Sequence, residues 1–161
     1  LNGAGSHTLG IYHKHKTMND LSAGSGVVKP TDFDTHHLVG NQPALFIATP
    51  ILKRYDELMI AGDHWIRRPL QAWNPNMRRL YYIYGGFWKA KMVSPAGVAD
   101  PLYESTNQSP IATSTSVDLQ VDDYMFMRPT QSEFVMLQFG DLLTFKGNDF
   151  VGTWPVFHQT G

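Results

Sequence analysis

The sequence predicts a mainly β protein, built around a small antiparallel, barrel-like β-domain. Three observations carry this. Fourteen glycines and ten prolines in 161 residues mark many turns, which favours short strands over long helices. Four short apolar runs close the chain, at Tyr124–Arg128, Glu133–Phe139, Leu142–Phe145 and Phe150–Trp154. Turn-forming pairs separate them: Pro129-Thr130, Gly140-Asp141 and the stretch Lys146-Gly147-Asn148-Asp149. Further upstream, Trp88, Ala90 and Met92 alternate with Lys89 and Lys91, the period-two pattern of a strand with one buried and one wet face.

The elements follow in order. Residues 1–30 are rich in Gly, His and Lys, and only Gly26-Val27-Val28 reads as a strand, closed by Pro30. Thr31 followed by Asp34 resembles a capping box, which predicts a short helix over Asp32–Leu38. Ala44–Leu52 is apolar and rich in strand formers; Pro50 cannot donate to a ladder, so its part of the strand belongs at an edge or a bend. Leu58–Ala61 is the next expected strand. Leu80–Tyr84 and Phe87–Val93 flank Gly85-Gly86 and read as a hairpin or as one strand broken by a bulge. Residues 94–116, with prolines, Ser and Thr, are expected to form a long functional or mobile loop.

Bulk properties exclude several functions. At 42% hydrophobic and 17% charged, the chain can bury a core, and its length suits one domain that removes about two-thirds of its unfolded surface from water. Net charge is −1 with Lys and Arg scattered, so no basic footprint for nucleic acid is present. No apolar run of about 18 residues exists to span a membrane. The absence of cysteine rules out disulfides and Cys-ligated zinc or iron–sulfur sites within this sequence. No secretion signal is visible in these residues, and the chain is expected in the cytoplasm.

The most informative stretch is Leu1-Asn2-Gly3-Ala4-Gly5-Ser6-His7-Thr8. Gly3 and Gly5 frame a tight turn whose backbone N–H groups suit an anion, with two hydroxyls alongside. An ordinary loop has the same composition. Such turns follow a buried strand, and only Leu1 and Asn2 precede this one, so the remainder of any pocket is expected on polypeptide outside the chain.

Three segments resemble one family. Asn19-Asp20-Leu21-Ser22-Ala23-Gly24-Ser25-Gly26-Val27-Val28 is similar to the Glu-Leu-x-x-Gly-Ser-Tyr-Val segment that follows the glycine loop in D-threonine aldolase and the zinc-dependent D-serine dehydratases. Arg128-Pro129-Thr130-Gln131-Ser132-Glu133 and Gln138–Leu143 resemble a strand pair near the end of those enzymes, and Asp149–Phe157, with Trp154-Pro155-Val156, their closing strand. The resemblance is loose over residues 62–80 and 94–116. It implies an alanine racemase-like architecture of fold type III: a pyridoxal-phosphate-binding (β/α)8 barrel followed by an antiparallel β-domain, acting as a homodimer on a small amino acid. Residues 1–40 would then be the tail of the barrel and 41–161 the C-terminal β-domain. The lysine that links the cofactor lies far upstream in the family, and none of Lys14, Lys16, Lys29, Lys53, Lys89, Lys91 or Lys146 matches it. The resemblance thus implies the C-terminal piece of a larger lyase, aldolase, dehydratase or racemase in type, inactive alone and partnered by the N-terminal barrel portion.

Under the same resemblance Gly3, Ala4, Gly5 and Ser6 form the phosphate loop, with Thr8 as a supporting hydroxyl. In the metal-dependent relatives a His-x-Cys or His-x-Asp pair holds a divalent ion, and Gln131 and Glu133 stand at the matching positions. An amide oxygen is a poor zinc ligand, which puts a divalent metal in doubt. Ser105-Thr106-Asn107-Gln108 stands where relatives carry an acidic pair and a His, removing an acid or base. Both departures weigh against the metal-assisted reactions.

Two other classes remain open: a non-enzymatic β-barrel interaction module, and a self-contained metal-dependent β-barrel enzyme using His13 and His15, which would share one face of a strand. Lys14 and Lys16 interleave them and oppose a cation. Arg67-Arg68 and Arg78-Arg79 flank a Pro- and Asn-rich insertion, either as solvated residues or as a clamp for a carboxylate or a dimer contact.

Overall fold

A computed structural model describes residues 1–12, 17–59 and 64–156, apart from the side chains of His64, Ile66 and Arg67. The expectations for His13, Lys14, His15, Lys16, Ile60, Ala61, Phe157 and His158 lie outside the described residues; Leu58 and Met59, at the start of the expected strand 58–61, are not in a strand, and Leu58 is a buried core residue instead. The chain is mainly β and divides into two compact units: residues 1–45 with 129–161, and residues 46–128.

In the first unit, β1 (Asn2–Gly3) and β2 (Asp20–Leu21) pair in parallel, with Asn2 opposite Asp20 and Gly3 opposite Leu21. The Asn2 side chain reinforces the register by donating to Asp20 Oδ2 at 2.6 Å and to Ser22 Oγ at 2.9 Å. A single helical turn, α1 (Leu9–Tyr12), follows the glycine-rich loop. It approaches the chain at His37 so closely that a Cβ on Gly10 would lie 1.9 Å from the His37 carbonyl oxygen. The expected strand at Gly26-Val27-Val28 is instead a 3₁₀ turn over Ser25–Val27. The expected helix over Asp32–Leu38 is two separate 3₁₀ turns, Thr31–Phe33 and His36–Leu38. The reason is visible at Thr31: the cap position belongs to Pro30, and no side chain caps the turn.

Within the same unit Glu133–Phe139 is not a strand. Ser132–Met136 forms a short helix, α3, because five residues hold too little periodicity to distinguish the two structures, and Ser132 and Glu133 suit a first helical turn. The hairpin β8 (Leu142–Lys146) and β9 (Asp149–Trp154) forms as expected, turning at Gly147 with φ +64°. Asp141 reaches beyond its own turn and accepts from Val156 N at 3.4 Å.

The second unit is a five-stranded sheet in the order β5-β7-β3-β4-β6, formed by β3 (Ile47–Tyr55), β4 (Arg79–Tyr84), β5 (Ala90–Ser94), β6 (Gln108–Thr113) and β7 (Tyr124–Pro129). The β3/β4, β3/β7 and β4/β6 pairings are antiparallel. Strand β3 is central rather than an edge, and Pro50 is tolerated because β3 changes partner there. Residues 47–50 pair with β7, residues 51–55 with β4, and a bulge follows Ile51.

Strands β4 and β5 are not a hairpin: they lie on opposite sides of β3. Gly85-Gly86 is a passage rather than a turn, since a Cβ on Gly85 would sit 2.3 Å from the Ser105 carbonyl oxygen. Strand β6 lies inside the expected loop 94–116 and is buried from Ser109 to Thr113; its Pro110 is accommodated because β6 is an edge strand.

The core lies on both faces of β4. On one face Leu58, Leu80 and Ala112 cluster with Leu70 of helix α2 (His64–Trp73), Met77 and Tyr82. Tyr81, Ile83 and Ile111 are fully buried, as are Ile51 and Met125. The Tyr81 hydroxyl donates to Val117 O at 2.8 Å and accepts from Leu119 N at 3.1 Å, pinning the connection between β6 and β7. Arg54 and Arg79 fasten the same connection. Asp118 Oδ1 lies 2.9 Å from Arg54 Nη1 and 3.1 Å from Arg79 Nη1, while Asp56 Oδ1 lies 3.1 Å from Arg54 Nη2 and 2.9 Å from Arg79 Nε.

Candidate functional site

Two adjacent parallel strands release their following loops side by side at their C-terminal ends, the position at which parallel sheets bind ligands. Here β1 leads into Ala4–Thr8 and β2 into Ser22–Gly26. Ala4 adopts φ +68°, which turns the first loop sharply, and Gly5 O then receives the N–H groups of Thr8 and Leu9, both at 3.0 Å. The Thr8 hydroxyl donates to the same carbonyl at 3.4 Å and so braces the turn.

Ser6 joins the loops. Its Oγ accepts from Gly24 N at 3.1 Å and from Gly26 N at 3.0 Å. The approach demands glycine at position 26, where a Cβ would lie 2.7 Å from Ser6 Cβ and 3.0 Å from Ser6 Cα. A serine hydroxyl has two acceptor sites and one proton. With both acceptor sites taken, the Ser6 proton is left to donate. The N–H groups of Gly5, Ser6 and His7 likewise have no partner among the described residues. A Cβ on Gly5 would meet nothing within 4 Å, so the loop is open on that side. His7 is stacked on Phe33 with ring centroids 4.4 Å apart. Four donors without a partner, carried on one short turn, are the groups from which an oxyanion nest is built.

The second loop has its own anchor. Ser25 Oγ donates to Glu133 Oε2, Ser132 Oγ lies 2.9 Å from Ser25 Oγ, and Ser132 Oγ lies 3.2 Å from the same carboxylate oxygen. Glu133 therefore holds Ser25 from α3, while Gly24 and Gly26 on either side hold Ser6. Gln131 precedes α3, is exposed, and makes no capping bond to it. Among the described residues no group of three or more His, Asp or Glu side chains could hold a metal ion.

The Ser25 hydroxyl, then the backbone N–H of Glu133, hold the Glu133 carboxyl below its usual range, with Ser132 adding to them and burial opposing. A depressed folded pKa means that this contribution is complete above the unfolded value and is lost as acid protonates the folded carboxyl. The stability advantage of the native chain over Glu133→Gln is thus expected to be full at neutral pH and to shrink below about pH 4 in acid-unfolding curves. A difference that stays constant across pH would contradict the assignment.

The Gly3–Thr8 loop was legible in the sequence. Gly24, Ser25 and Gly26 were recognisable as a family-like segment, but their role as the mate of Ser6 was not. The signal available was a second Gly-Ser pair, Gly24-Ser25 followed by Gly26, after Gly5-Ser6.

No protein-family model and no curated protein matches the sequence. Among solved structures, the chain is similar to the crystal structure of D-threonine aldolase from Filomicrobium marinum, with a TM-score of 0.68 at 12% identity. The alignment takes in 96% of this chain and 40% of the aldolase chain, so the likeness is one of fold over about two-fifths of the larger protein.

Proposed function

We propose that the chain is the C-terminal portion of a pyridoxal-phosphate-dependent enzyme acting on D-amino or β-hydroxy amino acids, and that its two glycine loops hold the cofactor's phosphate. The observation that carries this reading is the Ser6 bridge between loops that leave two parallel strands. The fold likeness to an aldolase supports it. In this reading the N–H groups of Gly5, Ser6 and His7 and the Ser6 hydroxyl donate to phosphate oxygens, charge-assisted bonds that are stronger than neutral ones. Gly3 and Ala4 shape the loop and Thr8 braces it. Pyridoxal phosphate, when bound, supplies an electron sink for breaking a bond at the substrate's α-carbon.

Glu133 is assigned the anchoring of the Gly24–Gly26 turn through its Oε2. The cofactor-linking lysine comes from an N-terminal barrel portion, so the chain alone is expected to be inactive. In this reading residues 1–40 are the tail of that barrel and 41–161 the β-domain, whose segment 129–161 forms one compact unit with residues 1–45. Leu143, Phe145 and Phe150 share one face of the β8–β9 hairpin and are all more than half exposed, an apolar surface suited to cover by the barrel portion or by a second copy in a homodimer.

Equilibrium dialysis against pyridoxal phosphate and pyridoxal tests the phosphate assignment. Binding is expected to require the phosphate and to weaken at least tenfold in Ser6→Ala. Equal binding of the two compounds, or no effect of Ser6→Ala, would overturn it.

A further inference from the structure

The second unit contains a groove of about 710 Å³ lined by Asp56, Glu57, Arg68, Gln71, Arg78 and Thr115. That volume is within the range of small-molecule sites. Its charges are unequally satisfied. Asp56 is shared by Arg54 and Arg79, and the hydrogen bond from Arg54 leads the influences that hold its carboxyl below the usual range. Arg54, Arg79, Asp56 and Asp118 close on one another as two cations and two anions. Glu57, which has an interaction of its own, is exposed and adds a negative charge to the lining.

Arg68 and Arg78 are not so satisfied: neither is paired with a carboxylate among the described residues. Arg68 and Gln71 are three residues apart on α2 and share a face. Arg78 arrives from the segment before β4, and its Nε donates to Gln71 O at 3.4 Å. That bond restrains the guanidinium and leaves both terminal nitrogens for a ligand, the edge that accepts a planar oxyanion in two parallel bonds.

We propose that this groove is a binding site for a small oxyanion, anchored by Arg68 and Arg78 with Gln71 and Thr115 beside them. Arg68 and Arg78, neither paired with a carboxylate among the described residues, outnumber the one lining carboxylate, Glu57, that the Arg54–Arg79 cluster does not neutralise, so the groove favours an anion, and its polar lining selects against an apolar ligand. Dicarboxylates and phosphate monoesters share this chemistry. The site belongs to the second unit and does not depend on the glycine loops.

Isothermal titration of the 161-residue chain with succinate and with inorganic phosphate tests the proposal and separates the two ligand classes. At least one probe is expected to bind with an affinity that falls as salt is raised. Arg68→Gln and Arg78→Gln are each expected to weaken it tenfold or more, and Arg78→Lys to restore only part, because lysine lacks the fork. Both arginines are exposed, so unchanged far-ultraviolet circular dichroism and melting are expected in these variants. Ser6→Ala is expected to leave succinate binding unchanged. Succinate binding alone assigns a dicarboxylate, and phosphate binding sensitive to the arginines assigns a phosphate ester. No binding of either probe at about 10 mM, or binding indifferent to both arginines, overturns the proposal. Phosphate binding lost only in Ser6→Ala belongs to the glycine loop and likewise overturns it.

Discussion

Replacing Gly26 with alanine is expected to destabilise the first unit by about 1–3 kcal/mol, the usual cost of forcing extra volume into a packed contact. The new Cβ would lie 2.7 Å from Ser6 Cβ and 3.0 Å from Ser6 Cα and O. Two of those three atoms are backbone, so no side-chain rotation relieves the contact and the loops must separate. Separation breaks the Gly24 and Gly26 bonds to Ser6 Oγ and disperses the loop's unpartnered donors. Pyridoxal phosphate affinity is therefore expected to fall more than tenfold. Denaturant unfolding and equilibrium dialysis measure the two effects on one sample. Gly5→Ala is the matched control, because its Cβ would enter open space: lost affinity with normal stability there would locate the ligand in front of Gly5.

Tyr81→Ala is expected to cost about 3–5 kcal/mol, since the ring is fully buried between strands and its removal leaves a cavity. Tyr81→Phe separates packing from hydrogen bonding. It keeps the ring but strips Val117 O and Leu119 N of their partner, which is expected to cost about 1–3 kcal/mol. The Arg54–Asp118 and Arg79–Asp118 pairs still hold the connection at its exposed side, so the fold survives Tyr81→Phe. Urea titration reads both values; equal costs for the two variants would show that the hydroxyl, not the ring, carries the stability.

How far the sequence could be read follows from these same contacts. Strands β3, β4, β5, β7, β8 and β9 were legible because alternation or apolar runs bounded by turn residues survive without tertiary information. Strand β6 was not, since Gln108-Ser109-Pro110 reads as loop, and only pairing with β4 buries Ile111 and Ala112. Gly85-Gly86 imitated a hairpin turn, whereas the close approach of Ser105 that requires Gly85 is set by residues twenty positions downstream. Thr31 imitated a helix cap, but Pro30 occupies that position.

The site divides in the same way. Gly3-Ala4-Gly5-Ser6 is a local pattern and could be recognised locally. Its partnership with Gly24 and Gly26 arises from a parallel pairing of two two-residue strands, far too short to leave a periodic trace. The anchoring of Ser25 by Glu133 joins residues from opposite ends of the chain, and no spacing rule reaches that far. At Glu133 the resemblance pointed to a metal position, while the geometry supplies two hydroxyl partners.

The most direct test of the glycine-loop account is amide chemical-shift mapping of the 161-residue chain during titration with pyridoxal phosphate. Saturable shifts are expected at Gly5, Ser6 and His7 and at Gly24 and Gly26, reproduced in part by inorganic phosphate and absent with pyridoxal. Shifts confined to other residues, or of equal size with pyridoxal, would contradict it.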